Sequence, residues 1–105
     1  MPTEMRRSPR YPFFASAEII ENSSKSITKA RTSELSRHGC YMDMMNPFLS
    51  GATLSVRIVH GGQAIDAAAR VIHSQPNVGM GLSFDQIAPD QQPIIEKWLN
   101  GLEAA

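Results

Sequence analysis

Three arginines lie close together near the start of the chain, at positions 6, 7 and 10. We call residues 6–10 the arginine motif. Ten basic residues in the whole sequence are balanced by ten acidic ones, so any attraction for an anion must be local. Guanidinium groups bind phosphate oxygens, and the O6 and N7 edge of guanine, through two parallel hydrogen bonds. Arg6, Arg7 and Arg10 therefore predict an anion-binding segment, with a solvated basic tail as the alternative for this segment alone.

A second group of polar residues, the serine motif, lies at positions 34–39, where the sequence reads ELSRHG. It offers a carboxylate at Glu34, a hydroxyl at Ser36 and a guanidinium at Arg37, and it ends at Gly39, which allows a close approach of the backbone. We expect these residues to form a short polar turn between two strands. Such a turn could receive the same ligand as the arginines, or it could be an ordinary hairpin connection.

No catalytic or metal-binding pattern accompanies these two motifs in the sequence. The histidines at positions 38, 60 and 73 lie in three different segments, without a cysteine or carboxylate at metal-ligand spacing. Cys40 has no arrangement around it that would make it a nucleophile, and we expect it to be a small buried hydrophobic residue. The sequence also lacks a pair of carboxylates placed for acid–base work, so it predicts neither an enzyme nor a resident cofactor.

Apolar residues alternate with other residues along much of the chain, which is typical of strands with one buried face. The clearest case begins at Tyr11, where residues 13, 15, 17 and 19 are all apolar. The pattern predicts six strands, at about residues 11–20, 26–33, 40–45, 53–58, 64–73 and 78–84. Met42, Met44 and Met45 favour core filling over a soft binding surface. Six strands in series indicate a mainly β fold of the barrel or sandwich kind.

Glycines punctuate the predicted strands. The pair at positions 61 and 62 predicts a tight hairpin, and the glycines at positions 79 and 81 predict a bulge or a close backbone approach in the last strand. After them the period changes, because Ile94, Ile95, Trp98, Leu99 and Leu102 fall on one helical face. We expect an amphipathic helix over about residues 88–103, with its Trp98 stripe packed on the sheet.

The chain is predicted to form one folded domain over residues 11–105, preceded by a mobile arginine-rich arm at residues 1–10, which has no apolar periodicity. A single cysteine and an N-terminus without a continuous apolar stretch predict a cytoplasmic protein. No apolar run approaches the roughly 20 residues needed to cross a bilayer, so we expect no membrane insertion.

Taken in order, the two motifs resemble the signature of the PilZ domain, a bacterial receptor family for cyclic di-GMP. That signature is R-x-x-x-R followed, a few tens of residues later, by D/N-x-S-x-x-G. Arg6 and Arg10 match its first half, and Ser36 and Gly39 match its second half, with Glu34 in place of the aspartate or asparagine. Residues 69–71 and 78–84 are similar to the family's late strands, and residues 94–99 to its closing helix. The resemblance implies a six-stranded antiparallel β-barrel with a C-terminal α-helix and a flexible N-terminal arm.

The resemblance also implies a function. By that likeness, Arg6 and Arg10 would hold guanine edges and phosphates, with Arg7 as a supporting cation. Ser36 and Gly39 would cradle the ligand, and in the family the residue at the position of Glu34 accepts hydrogen bonds from a guanine. Ordering of the arm over cyclic di-GMP would then change the surface that a downstream protein partner meets. The predicted ligand-binding residues are Arg6, Arg7, Arg10, Glu34, Ser36, Arg37 and Gly39.

Two other functions stay open at this point. The first is a PilZ-like protein-interaction module that no longer binds nucleotide, and Glu34 is its only support. The second is a barrel for single-stranded nucleic acid, which needs stacked aromatic rings beside a basic groove. Because aromatic residues make up only 7% of the chain and the net charge is zero, we expect no nucleic acid partner.

Overall fold

A computed structural model of the protein describes residues 9–104 as a closed antiparallel barrel of six strands followed by one α-helix. The mainly β fold predicted from the sequence is confirmed. Around the barrel the strands are ordered β1-β2-β3-β6-β5-β4. The elements are β1 Tyr11–Glu21, β2 Ile27–Ser36, β3 Gly39–Asp43, β4 Thr53–His60, β5 Gln63–Gln75, β6 Gly79–Ile87, a 3-10 turn Pro89–Gln91, and α1 Gln92–Ala104.

The interior of the barrel is filled by the alternating apolar residues of its strands. In β1 the predicted inward set is confirmed, since Phe13, Ala15, Ala17 and Ile19 are all buried. Each strand of a barrel has one face inside and one face in solvent, so a period of two places every second residue in the core. The outward residues are thereby left to form surface sites.

Helix α1 packs its apolar stripe against the barrel as predicted, and Ile95, Trp98 and Leu99 belong to the same buried core as the strands. The centre of the Trp98 ring lies 5.3 Å from that of Phe13 in β1 and 5.7 Å from that of His60, the last residue of β4. The helix is therefore anchored near the beginning of β1.

The structure contains the glycine hairpin and the close backbone approach that the sequence predicted. Gly61 and Gly62 connect β4 to β5 in a two-residue turn with φ of 59° and 77°, as a type I′ hairpin requires. At Gly79 in β6, a Cβ atom would lie 2.1 Å from the carbonyl oxygen of Met42, so the two backbones meet more closely than a side chain allows. A register shift in the β5–β6 pairing lies opposite Gly81.

All six strands differ from their predicted bounds by at least one residue, and the differences in β2 and β3 bear on the serine motif and on the methionines. β2 runs on to Ser36 instead of ending near Ser33, because its polar second half pairs with both β1 and β3. The prediction that residues 34–39 form a turn was therefore wrong in extent, since only two residues connect the strands. β3 ends at Asp43, and Met45 has 69% of its surface exposed, so core filling holds for the fully buried Met42 but not for Met45.

Two findings bear on function classes. Within residues 9–104, no helix combines the length and the apolar character needed to span a membrane. In the same part of the chain, no three histidine, cysteine, aspartate or glutamate side chains are grouped so that they could hold a metal ion.

Candidate functional site

Arg10, the last residue of the arginine motif, meets Glu34, the first residue of the serine motif, on the outside of the barrel. Antiparallel pairing of β1 with β2 places Pro12 opposite Glu34, so the residues just before β1 lie beside the end of β2. The Arg10 Nε lies 3.4 Å from the Glu34 Oε1, and the two side chains are 34% and 44% exposed. Residues far apart in the sequence thus form one accessible patch, which carries a guanidinium and a carboxylate.

The other two arginines of the predicted site, Arg6 and Arg7, lie outside the described residues, as does most of the predicted arm. Their positions relative to the patch stay a prediction.

Ser36 shapes the turn of the serine motif. Its hydroxyl donates a hydrogen bond to the Gly39 carbonyl at 3.2 Å and accepts one from the His38 N–H at 3.3 Å. The residue is only 6% exposed. Such local bonds from a serine side chain to the backbone stabilise tight turns. The hydroxyl therefore holds the loop that presents Arg37 and His38.

Gly39 is required by the packing of the barrel. A Cβ atom at this position would lie 2.0 Å from the Leu82 carbonyl oxygen in β6, far inside van der Waals contact. The same turn is tied to β6 by a hydrogen bond of 2.8 Å from the Phe84 N–H to the His38 carbonyl. The glycine that the sequence assigned to ligand approach thus lets the turn lie directly on a neighbouring strand.

Arg37, in the turn itself, reaches across to helix α1. Its Nη1 group donates hydrogen bonds to both carboxylate oxygens of Glu96. The hydrogen bond from Arg37 lowers the pKa of Glu96, and Glu96 in turn raises the pKa of Arg37. The turn and the helix are therefore connected by a charged pair that the sequence did not predict.

Thr32, like Glu96, was not predicted from the sequence to take part in the site. It is fully buried in β2, next to a bulge in β1 between Pro12 and Ala15. Its hydroxyl donates to the Phe13 carbonyl at 2.6 Å and accepts from the Ala15 N–H at 3.0 Å, which satisfies the two backbone groups that the bulge removes from the ladder. Thr32 thus fixes the start of β1, from which the arginine motif extends. The feature of the sequence that could have indicated this role is a β-branched side chain at an inward-facing position of a strand.

Every arginine that the structure describes lies within ion-pair distance of a carboxylate. Besides the pairs at Arg10 and Arg37, these contacts lie on the outer surface of the strands. They are Arg31 with Asp43, Arg57 with Asp66, and Arg70 with Asp85. Each arginine in the described part of the site therefore has a carboxylate partner with which an anionic ligand would compete.

The remaining candidates are placed as follows. Cys40 is buried as expected, and burial raises the pKa of its thiol to about 12. His60 packs against the rings of Phe13 and Trp98. A shallow surface groove of about 340 Å³ has neither Arg10 nor a residue of the serine motif in its lining. It is lined by residues that include Glu18, Ile20, Ser55, Arg57, Ala68 and Gln86.

Comparison with known proteins gives one family and a consistent fold. The family model of the PilZ domain matches residues 4–101. None of the curated proteins matches the chain. The PilZ domain of CeSA from a cellulose-synthesizing bacterium is 22% identical, with a TM-score of 0.73 over 91% of this chain and 99% of that chain.

Two further solved structures have the same fold. The PilZ domain of YcgR from Escherichia coli, a structure with c-di-GMP, is 13% identical, with a TM-score of 0.72 over 94% of this chain and 92% of that chain. The Bacillus subtilis inhibitor of motility, MotI or DgrA, is 19% identical, with a TM-score of 0.66 over 90% of this chain and 52% of that chain. The present chain spans about half the length of the latter.

Proposed function

We propose that this chain, which belongs to the PilZ domain family, is a receptor domain that binds cyclic di-GMP. The observation that supports the proposal is the contact between Arg10 and Glu34, which joins one residue from each motif of the family signature on the barrel surface. The YcgR domain, whose structure includes c-di-GMP, supports the ligand class.

In the proposed complex, the guanidinium groups of Arg6, Arg7 and Arg10 bind phosphates and guanine edges from one side of the ligand. From the other side, Glu34 accepts hydrogen bonds from a guanine and Arg37 supplies a further cation. Ser36 and Gly39 contribute the shape of the turn against which the ligand lies.

Ligand binding at Arg10 is an exchange of one anion for another. An exposed ion pair such as that between Arg10 and Glu34 stabilises a protein by only about 0.2–1 kcal/mol. A hydrogen bond between charged partners that is shielded by a bound ligand contributes about 1.5–3 kcal/mol. The phosphate should therefore displace the Glu34 carboxylate from Arg10, which leaves Glu34 available to accept hydrogen bonds from a guanine.

The proposed signal is the ordering of residues 1–10 over the bound nucleotide, which would present a new surface to a downstream protein. Fixing the backbone costs about 1–2 kcal/mol per residue, so ordering the segment offsets much of the energy of the arginine contacts. We therefore expect a dissociation constant in the micromolar range. Isothermal titration calorimetry measures it, and a value below about 10 nM would contradict the ordering argument.

The decisive experiment is a titration of the purified protein and two arginine variants with cyclic di-GMP. Arg10→Ala should weaken binding by about one to two decades, because it removes charge-assisted hydrogen bonds to the ligand. Arg57→Ala is the matched control, since Arg57 forms a similar exposed ion pair with Asp66 on another part of the barrel. Equal affinities of the Arg10 and Arg57 variants would refute the proposed site.

A second candidate function is a protein-interaction module that no longer binds nucleotide. The observation in its favour is that the longer side chain at Glu34 engages Arg10 within the protein itself. Glu34→Asp discriminates between the two functions. A receptor should keep or gain affinity with the shorter carboxylate, whereas under the second candidate neither the wild type nor the variant binds.

A further inference from the structure

Helix α1 carries an acidic flank that acts on the turn of the serine motif. Glu96 holds the Nη1 group of Arg37 with both carboxylate oxygens. Glu103, seven residues further on and therefore on the same side of the helix, also acts electrostatically on Arg37 and raises its pKa. The cation that the turn offers to an anionic ligand is thus already bound by the protein's own C-terminal helix.

Both ends of this ion pair are held by buried structure. On the helix, Ile95 and Leu99 are 1% and 2% exposed, so the position of the neighbouring Glu96 is set by core packing. On the turn, the Ser36 hydroxyl bonds and the tight contact of Gly39 with β6 fix the backbone that carries Arg37. The pair therefore joins two elements whose separation is determined by the fold.

We propose that Glu96 competes with the phosphates of the bound nucleotide for Arg37, so that ligand binding releases the contact between helix α1 and the turn. The inference rests on the proposed function, because it names a residue that regulates the same site. Glu96 occupies the Nη1 group of Arg37, so a phosphate cannot at the same time take the Nη1–Nη2 edge of the guanidinium through two parallel hydrogen bonds. The neighbouring carboxylate charge also repels a phosphate from the rest of the guanidinium. By linkage, a residue that opposes ligand binding is itself released when the ligand binds.

The first test is the affinity of Glu96→Gln for cyclic di-GMP, measured by calorimetry. Removing the competing charge should tighten binding about two- to fivefold, a modest factor because the ion pair is solvent-exposed. Glu18→Gln is the matched control, since it removes one negative charge from the outer surface of β1, at a groove whose lining includes neither Arg10, Arg37 nor Glu96. The control should bind like the wild type, which separates a local effect from a change in net charge.

A double-mutant cycle tests whether Glu96 acts through Arg37. Arg37→Ala should weaken binding, and adding Glu96→Gln to that variant should then change the affinity no further. A purely structural role of Glu96 in seating the helix would instead give the same change in both backgrounds.

The reciprocal effect is measured by hydrogen exchange of the amides of α1. In the wild type, saturating cyclic di-GMP should speed the exchange of the helix amides near Glu96. In Glu96→Gln their exchange should be faster without ligand and should not rise further on binding.

The outcomes separate this inference from the proposed function. If the wild type binds and Glu96→Gln binds equally tightly, or if its gain persists without Arg37, competition by Glu96 is refuted while the receptor function stands. If the wild type fails to bind cyclic di-GMP, the receptor function is refuted and the inference with it.

Discussion

Substituting Gly39 by alanine tests how closely the serine motif is packed against the barrel. The added Cβ atom would lie 2.0 Å from the Leu82 carbonyl oxygen and 3.1 Å from its carbonyl carbon, both backbone atoms of β6. Backbone cannot change rotamer to make room, and β6 is held on its two sides by pairing with β3 and β5. One of these strands has to move by about 1.4 Å to bring the 2.0 Å approach to an ordinary contact of 3.4 Å.

The expected cost follows from this geometry. Overpacking a well-packed interior costs about 1–3 kcal/mol and sometimes more. The clash at Gly39 is with backbone on a paired strand, so we expect the upper end, about 3 kcal/mol. In a domain of this size that loss lowers Tm by roughly 10–20 °C.

Urea and thermal unfolding, followed by circular dichroism, measure both quantities. Gly101→Ala is the control, because Gly101 lies in α1 with no atom within 4 Å of its added Cβ. There alanine should stabilise the protein by about 0.5–1 kcal/mol, since glycine is a poor helix residue. A Gly39→Ala protein as stable as the wild type would refute the packing argument and return this glycine to a role in ligand approach alone.

Three other predictions concern the residues around the site. Thr32→Val should lower the free energy of unfolding in urea by at least about 2 kcal/mol, because it leaves two buried backbone groups of the β1 bulge without partners. In the control Thr28→Val, in the same strand, the free energy of unfolding should change by no more than about 0.5 kcal/mol. Cys40, whose pKa burial raises to about 12, should react with a disulfide reagent at pH 8 only in denaturant, and rapid reaction of the native protein would contradict its burial. Because Arg37 lowers the pKa of Glu96, their pair should contribute stability above the ordinary carboxyl pKa and lose it as the pH falls through the lowered value. The difference in unfolding free energy between the wild type and Glu96→Gln should therefore be present at neutral pH and absent in strong acid.

Local patterns of the sequence were sufficient for much of the fold. Three of these patterns each depend on the conformation of only a few neighbouring residues. They are the period of two in β1, the glycine pair at 61 and 62, and the helical stripe around Trp98. A side chain that alternates or a glycine that permits positive φ carries this information without reference to the rest of the chain. The two motifs likewise predict which parts of the surface should bind an anion, and that stays a prediction.

The contacts of residues within the site could not be predicted from local sequence patterns, because they join segments that are distant in the chain. Glu34 and Ser36 lie in a strand because β1 and β3 pair on either side of them, although their own sequence is polar and predicted a turn. The same closing of the barrel places Gly39 against β6 and brings Glu96 to Arg37. Such contacts join segments far apart in the chain, and their distances are set by the packing of the whole core. Hence residue types alone determined which groups are candidates for binding an anion, and only the folded barrel determined which partners those groups have within the protein.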